Sequence, residues 1–218
     1  PLNAIIGFSD MMQQEVFGPM GHERYGGYVK DIYQSGKHLS DLLSDILDLS
    51  RIEAGHLERD ETVFDLSEII GECIGFIRGR ATEYGVIVRR SAPDPCPRLK
   101  ADKRQLKQIL LNLLTNAVKF TGPGTVVHLY VETAESGDLI LRIKDQGAGI
   151  AEEDLERIME PFTRLAGPQT SGVEGTGLGL AIVKRLVEGH GGSLQLVSKL
   201  GQGTDAIVTL PAARIEWR

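Results

Sequence analysis

Apolar residues recur along this chain with two different periods, and the change from one to the other divides it. After Leu2, the residues Ile5, Ile6, Met12 and Val16 keep the spacing of one helical face until FGPMG, Phe17 to Gly21, stops the run with Gly-Pro turn chemistry. A second helix is predicted from about Glu23 to Glu53. Its positions Tyr28, Ile32, Ser35, Leu39, Leu42, Ile46 and Leu49 alternate steps of four and three, the heptad seam of a coiled coil. At 1.5 Å per residue such a helix is about 45 Å long. Two helices cannot enclose this stripe. A second copy is expected to cover it, giving a dimeric antiparallel four-helix bundle.

Beyond Ala54-Gly55 the pattern becomes mixed. Leu57 to Phe64 reads as a strand, and Asp65 is a good N-cap for a helix of roughly Leu66 to Tyr84. Val86 to Arg90 is a short strand, SAPDPCP a loop, and Asp102 the cap of a further helix. Thr125 to Thr133 and Leu139 to Asp145 alternate on either side of AESGD and predict a hairpin. A helix from about Leu178 to His190 precedes a last hairpin, Ser193 to Ser198 and Thr204 to Leu210. Strands joined largely by hairpins, with helices inserted, predict an α+β fold with an α/β sandwich rather than a parallel Rossmann sheet. The domains are expected at 1–55 and 56–218.

The helix capped by Asp102 carries more than a core face. Leu106, Leu110, Leu113, Ala117 and Phe120 form its apolar stripe, but Gln105, Gln108, Asn112, Asn116 and Lys119 form a second stripe at the same spacing. Surface helices usually place Glu and Lys there. A row of carboxamides ending in an ammonium is either a solvated face or a surface built to meet oxygen-rich ligands.

Composition narrows the partners. The 218 residues carry a formal net charge of -6, which gives no basic footprint for nucleic acid. No run is long and apolar enough to span a bilayer, so no membrane contact is expected of this fragment. Cys73 and Cys96 make no C-x-x-C pair, and His22, His38, His56, His128 and His190 lack metal-site spacing. A reducing cytoplasmic compartment is expected, with any membrane anchor of a parent protein left open. The chain opens on Pro1 inside a helical pattern, which reads as a fragment of something longer.

Three stretches stand beside the carboxamide row. DQGAGI, Asp145 to Ile150, ends a predicted strand, so its carboxylate sits at the mouth of a glycine turn. EPFTR, Glu160 to Arg164, precedes the glycine-containing segment LAGPQTSGVEG, whose composition suits a mobile lid. EGTGLGLAI, Glu174 to Ile182, puts Gly175, Gly177 and Gly179 at a helix start, where main-chain N–H groups and the helix dipole favour phosphate. Each stretch alone is weak.

Taken in order, N-x-x-x-N-A-x-K-F, D-x-G-x-G, E-P-F-x-R and G-T-G-L-G-L-A-I, the chain closely resembles the catalytic and ATP-binding domain of sensor histidine kinases. That domain has the GHKL, or Bergerat, fold. PLNAIIGF and DILDLSRIEAG resemble the two helices of the family's dimerisation and phosphotransfer hairpin. With FGPMGHERY between those helices, the hairpin further resembles the PleC- and DivJ-like kinases of alphaproteobacterial cell-cycle control.

The resemblance implies a site. Asn116 would offer its carbonyl oxygen to Mg²⁺, with Asn112 and Lys119 facing the same phosphates of ATP. Asp145 would accept from the adenine amine, within a turn formed by Gly147, Gly149 and Ile150; guanine presents a carbonyl there, which would favour ATP over GTP. Arg164 is a candidate transition-state contact for the transferred phosphoryl group, and Phe162 is either a nucleotide contact or core packing. Gly175, Thr176, Gly177, Leu178 and Gly179 would wrap the phosphates. Thr204, in GQGT, is expected to support Asp145, and Asn112 is alternatively a structural amide. His190 reads as a helix C-cap partner. Ala206 stands where the family often has Phe.

The same resemblance implies a homodimer through the hairpin and phosphotransfer to the receiver domain of a response regulator. The phosphoaccepting histidine would lie five residues before Pro1, so no catalytic nucleophile is in this chain. A pseudokinase or phosphotransfer scaffold is one rival reading, and a GHKL-type ATPase another. Such ATPases typically place a glutamate base where this chain has Asn112, which favours a protein acceptor over water.

Overall fold

The computed structural model describes residues 2–16, 18–53, 60–165 and 175–216. The chain divides into two compact units, Pro1–Arg51 and Ile52–Arg218.

The first unit is a helical hairpin. Helix α1 spans Leu2–Gln13 and α2 spans Glu23–Glu53. At Gly36 the helices come so close that an added Cβ would lie 3.0 Å from Ile6 Cγ1. Val29 and Leu49 are buried, whereas Tyr28, Ile32, Leu39 and Ile46 of the heptad seam are exposed. The single chain thus leaves most of the seam uncovered, as expected for two helices alone.

The second unit layers helices on a mixed sheet. Strands β1 (Glu61–Asp65), β3 (Arg98–Asp102) and β8 (Ile215–Glu216) form a three-stranded antiparallel sheet in the order β1-β3-β8. Strands β2 (Ile87–Ser91), β4 (Val126–Thr133), β5 (Leu139–Lys144), β6 (Ser193–Ser198) and β7 (Thr204–Leu210) form a five-stranded sheet ordered β2-β4-β5-β7-β6. Only the β2–β4 pair is parallel. Alternation makes one face apolar: Val127, Leu129 and Val131, then Leu139, Leu141 and Ile143, then Ala206, Val208 and Leu210 are all buried. Helices α3 (Leu66–Glu83), α4 (Lys103–Lys119) and α5 (Gly179–Gly189) supply the matching stripes.

Asp65 and Asp102 cap α3 and α4 as the sequence suggests, each carboxylate accepting from main-chain N–H groups of the first turn. Strands β3 and β8 are additions to the sequence reading. RLKAD buries only two apolar residues in alternation, Leu99 and Ala101, too brief a pattern to stand out after a proline-rich loop. Of the predicted Leu57–Phe64 strand, the structure gives Glu61–Asp65, and residues 57–59 lie outside the described residues. Among the described residues no helix is long and apolar enough to cross a membrane.

Candidate functional site

Helix α4 is anchored by its cap. Asp102 is buried and accepts from Arg104 N at 2.9 Å, Gln105 N at 3.2 Å and Asp60 N at 3.2 Å. Burial works against its ionisation, but the main-chain donors of Gln105, Asp60 and Arg104 prevail and hold its pKa below the usual value. The inner stripe of α4, from Leu106 through Val118, fills the core. That leaves Asn112, Asn116 and Lys119 half-buried along the opposite edge. Two members of the predicted stripes depart from the reading. Gln105 is buried and donates to Asp102 Oδ2 at 3.3 Å, so it belongs to the cap rather than to an open row. Phe120, assigned to the apolar stripe, is the C-cap residue and is exposed.

Asp145 follows β5 at the start of a tight turn. It is 8% exposed, and its Oδ1 accepts two main-chain bonds, from Gly147 N at 2.8 Å and from Thr204 N at 3.1 Å. Burial raises its pKa, against the lowering effect of these donors. The turn tolerates no side chain at its glycines. A Cβ on Gly147 would lie 2.2 Å from Phe120 O, and one on Gly149, whose φ is +68°, would lie 2.0 Å from Lys199 O. The turn is therefore held between the end of α4 and the β6–β7 connection, with Ala148 N donating to Phe120 O at 3.3 Å and Gly201 N to Ala148 O at 2.7 Å.

Ser198 was not singled out by its sequence, where it merely ends a predicted strand. Its hydroxyl accepts from Ile150 N at 2.8 Å, donates to Gly203 O at 2.8 Å and meets Thr204 Oγ1 at 2.9 Å. It thereby ties the far end of the Asp145 turn to the strand that supplies Thr204.

The start of α5 closes on α4 from the other side. Asn112 Nδ2 donates to Gly179 O at 3.5 Å, and a Cβ on Gly175 would lie 3.0 Å from Lys119 Nζ. Lys119 Nζ also sits 5.3 Å from the centre of the Phe120 ring. Leu178 N donates to Thr176 Oγ1 at 3.1 Å, and Leu178, the N-cap residue of α5, makes no side-chain cap bond, unlike Asp65 and Asp102. Gly177, with φ +72°, packs against the backbone of Phe162 and Thr163. Phe162 itself is 62% exposed with φ +62°. Arg164 is also exposed. Residues 166–174, including most of the predicted lid and Glu174, lie outside the described residues.

One region of the second unit thus holds Asn112, Lys119, the Asp145 turn and the Gly175–Gly179 stretch. A half-buried row of carboxamide and ammonium groups meets the segment that leads into α5, and a buried carboxylate sits in the turn against the end of α4. Such a set can bind an anionic group at one side and an amine-bearing group at the other. Among the described residues no group of three or more His, Cys, Asp or Glu side chains could hold a metal ion.

Comparison with known proteins gives a consistent picture. Residues 101–214 match the family described as histidine kinase-, DNA gyrase B-, and HSP90-like ATPase, and residues 1–55 match the His Kinase A (phospho-acceptor) domain. The cell-division control histidine kinase PdhS of Brucella suis is 40% identical over 99% of this chain, and that of Brucella abortus is 39% identical over the same share. In both cases the chain spans 22% of the relative's length. Among solved structures, full-length ShkA in complex with AMPPNP superposes with a TM-score of 0.80 at 31% identity, covering 100% of this chain and 44% of that one. The Acinetobacter baumannii histidine kinase AdeS shares the fold, with a TM-score of 0.69 at 21% identity over 97% of this chain and 96% of that one.

Proposed function

The chain belongs to the histidine kinase-, DNA gyrase B- and HSP90-like ATPase family and, with a His Kinase A domain ahead of it, is a sensor histidine kinase core; on that premise we propose that it binds Mg·ATP and supplies the phosphoryl group for a histidine of its parent protein. The observation that carries this reading is the meeting of Asn112 and Lys119 with the glycine segment that leads into α5. The first-turn amides of a helix and an ammonium fit a polyphosphate, and the buried acceptor Asp145 fits an adenine amine. The full-length relative ShkA was solved with AMPPNP, an ATP analogue.

The residues have separable tasks. Asp145 spends Oδ1 on holding its own turn, so Oδ2 is the oxygen for the base amine. Lys119 neutralises phosphate charge, and the amides at Gly179 orient it. Asn116 offers a neutral oxygen, which suits Mg²⁺, a hard cation that takes few protein ligands and completes its shell with waters and phosphate oxygens. When bound, the ion supplies charge neutralisation for phosphoryl transfer. Arg164, exposed beside this region, is assigned to the charge on the transferred group. In the transfer the bond between the γ-phosphorus and the bridging oxygen breaks, ADP leaves, and a P–N bond forms at the acceptor imidazole. A receiver-domain aspartate of a response regulator then takes the group. Asn112 stands where hydrolytic relatives carry a glutamate base, so no carboxylate there activates water.

The hairpin supports a homodimer, since the exposed seam residues need a cover and the His Kinase A domain implies one. Incubating the parent protein with γ-labelled ATP tests the reading. Acid-labile, base-stable label on the protein is expected, lost in Asn116→Ala. Release of free phosphate with no label on protein would support the ATPase alternative and overturn the kinase assignment.

A further inference from the structure

His190 ends α5 and is 2% exposed. Its ring makes two bonds that fix its protonation. The main-chain N–H of Asp102 donates to Nε2 at 3.3 Å, and because a main-chain N–H can only donate, Nε2 carries no proton. The one proton of the neutral ring is then on Nδ1, which donates to Leu186 O at 2.8 Å. The His190 carbonyl accepts from Arg214 Nε at 2.5 Å, and Arg214 also reaches Glu61 Oε1 and Lys100 O, each at 2.9 Å. One imidazole therefore joins the last turn of α5 to the residue that caps α4. At the other end of α5 the same two helices meet again, through Asn112 and Gly179.

We propose that His190 is a positioning residue for the nucleotide site. Its neutral ring fastens the end of α5 to the cap of α4, so that Gly179 at the start of α5 stays aligned with Asn112. Protonation at Nε2 sets an N–H against the Asp102 N–H and releases the fastening. This inference rests on the nucleotide reading above. The charged groups around His190 are Glu61 on β1, which interacts electrostatically with the ring, Arg214 after β7, which donates to the His190 carbonyl, and Asp102 at the α4 cap, whose main-chain N–H meets Nε2. The Asp102 carboxylate is engaged by Asp60, Arg104 and Gln105, and Glu61 by Arg214.

The test is calorimetric titration of Mg·ADP into the whole chain from pH 8 to 5.5, with wild type, His190→Gln and His190→Asn. Glutamine places a carbonyl near Nε2 without titrating; asparagine reaches only the Nδ1 position. Wild-type affinity is expected to fall about fivefold further than that of His190→Gln as pH drops, the equivalent of one net hydrogen bond. His190→Asn is expected to bind about fivefold more weakly than wild type at pH 8. Parallel pH profiles for wild type and His190→Gln would overturn the proposal, as would wild-type affinity in a folded His190→Asn. Where His190→Asn does not fold, the wild-type and glutamine profiles decide alone. No binding by wild type at any pH would instead contradict the nucleotide reading, and this inference with it.

Discussion

The main-chain N–H of Thr204 donates to Asp145 Oδ1 at 3.1 Å, across 59 positions of sequence. This bond joins the start of β7 to the end of β5 at the point where the two strands frame the glycine turn. It fixes one carboxylate oxygen inside the fold. Nearby, Gly203 has φ +86°, and a Cβ there would lie 2.2 Å from Asp145 O. The carboxylate is thus positioned by backbone contacts that only glycine permits.

Gly147→Ala and Gly203→Ala are expected to destabilise the second unit. Each new Cβ meets a main-chain oxygen that cannot move without shifting α4 or β5. A loss of about 1–3 kcal/mol follows from overpacking, with an added cost at Gly203 for its left-handed conformation. Thermal unfolding followed by circular dichroism checks this, with Gly122→Ala, which has open space around it, as the control.

Acid and base should act oppositely on two buried aspartates. Asp145, whose pKa is raised by burial, contributes stability below the ordinary carboxylate pKa and loses it as pH rises through the raised value. Asp102 has a lowered pKa, so its contribution is present above the ordinary pKa of about 4 and lost as pH falls through the lowered value. Between about pH 3 and pH 7, Asp145→Asn should gain stability relative to wild type as pH rises above about 4, whereas the deficit of Asp102→Asn should hold steady above about pH 4 and shrink as pH falls below it. Denaturant midpoints across that range measure both slopes.

Replacing Asn116 separates metal from nucleotide. Asn116→Ala removes one oxygen from the ion's expected shell but leaves Lys119, Asp145 and the α5 amides in place. Affinity for Mg·ATP should fall by about tenfold or more, since loss even of outer partners of a metal ligand costs that much. Affinity for ATP measured with excess chelator should change little. Titrations with and without Mg²⁺ give the comparison.

The seam predicts an assembly state. Leu39→Glu together with Ile46→Glu puts charges onto exposed apolar positions of α2. Neither residue is buried in the single chain, so its folding should survive while self-association is lost. Light scattering at matched concentrations is expected to show a dimer for wild type and a monomer for the double variant.

Much of the fold was written in local pattern. The two hairpins of the five-stranded sheet follow from period-two alternation around AESGD and KLGQG, and both aspartate caps follow from side-chain chemistry next to an apolar period. What the pattern hid depends on distant pairing. Strand β3 is fixed by β1 and β8, whose residues lie far away in sequence. Ser198 and His190 likewise act through bonds to remote main-chain groups, Ile150 and Gly203 for one, Asp102 for the other. The sequence marks His190 as a C-cap, but no spacing rule marks these remote bonds, because their partners are set only once the sheet has closed. Gln105 shows the reverse error: helical spacing placed it on the open row, but the cap chemistry of Asp102 drew it inward.

The central claim is that Asp145 reads an adenine in the same site whose phosphates meet α4 and the start of α5. The most direct measurement is a calorimetric comparison of Mg·ATP with Mg·GTP on wild type and on Asp145→Asn. Asparagine keeps an oxygen for Gly147 and Thr204 but puts an amide donor where Oδ2 was. Wild type should prefer ATP by at least about tenfold, the scale of one charge-assisted hydrogen bond, and the variant should lose that preference. Equal affinities for the two nucleotides in wild type, or an undiminished preference for ATP in the variant, would contradict the account.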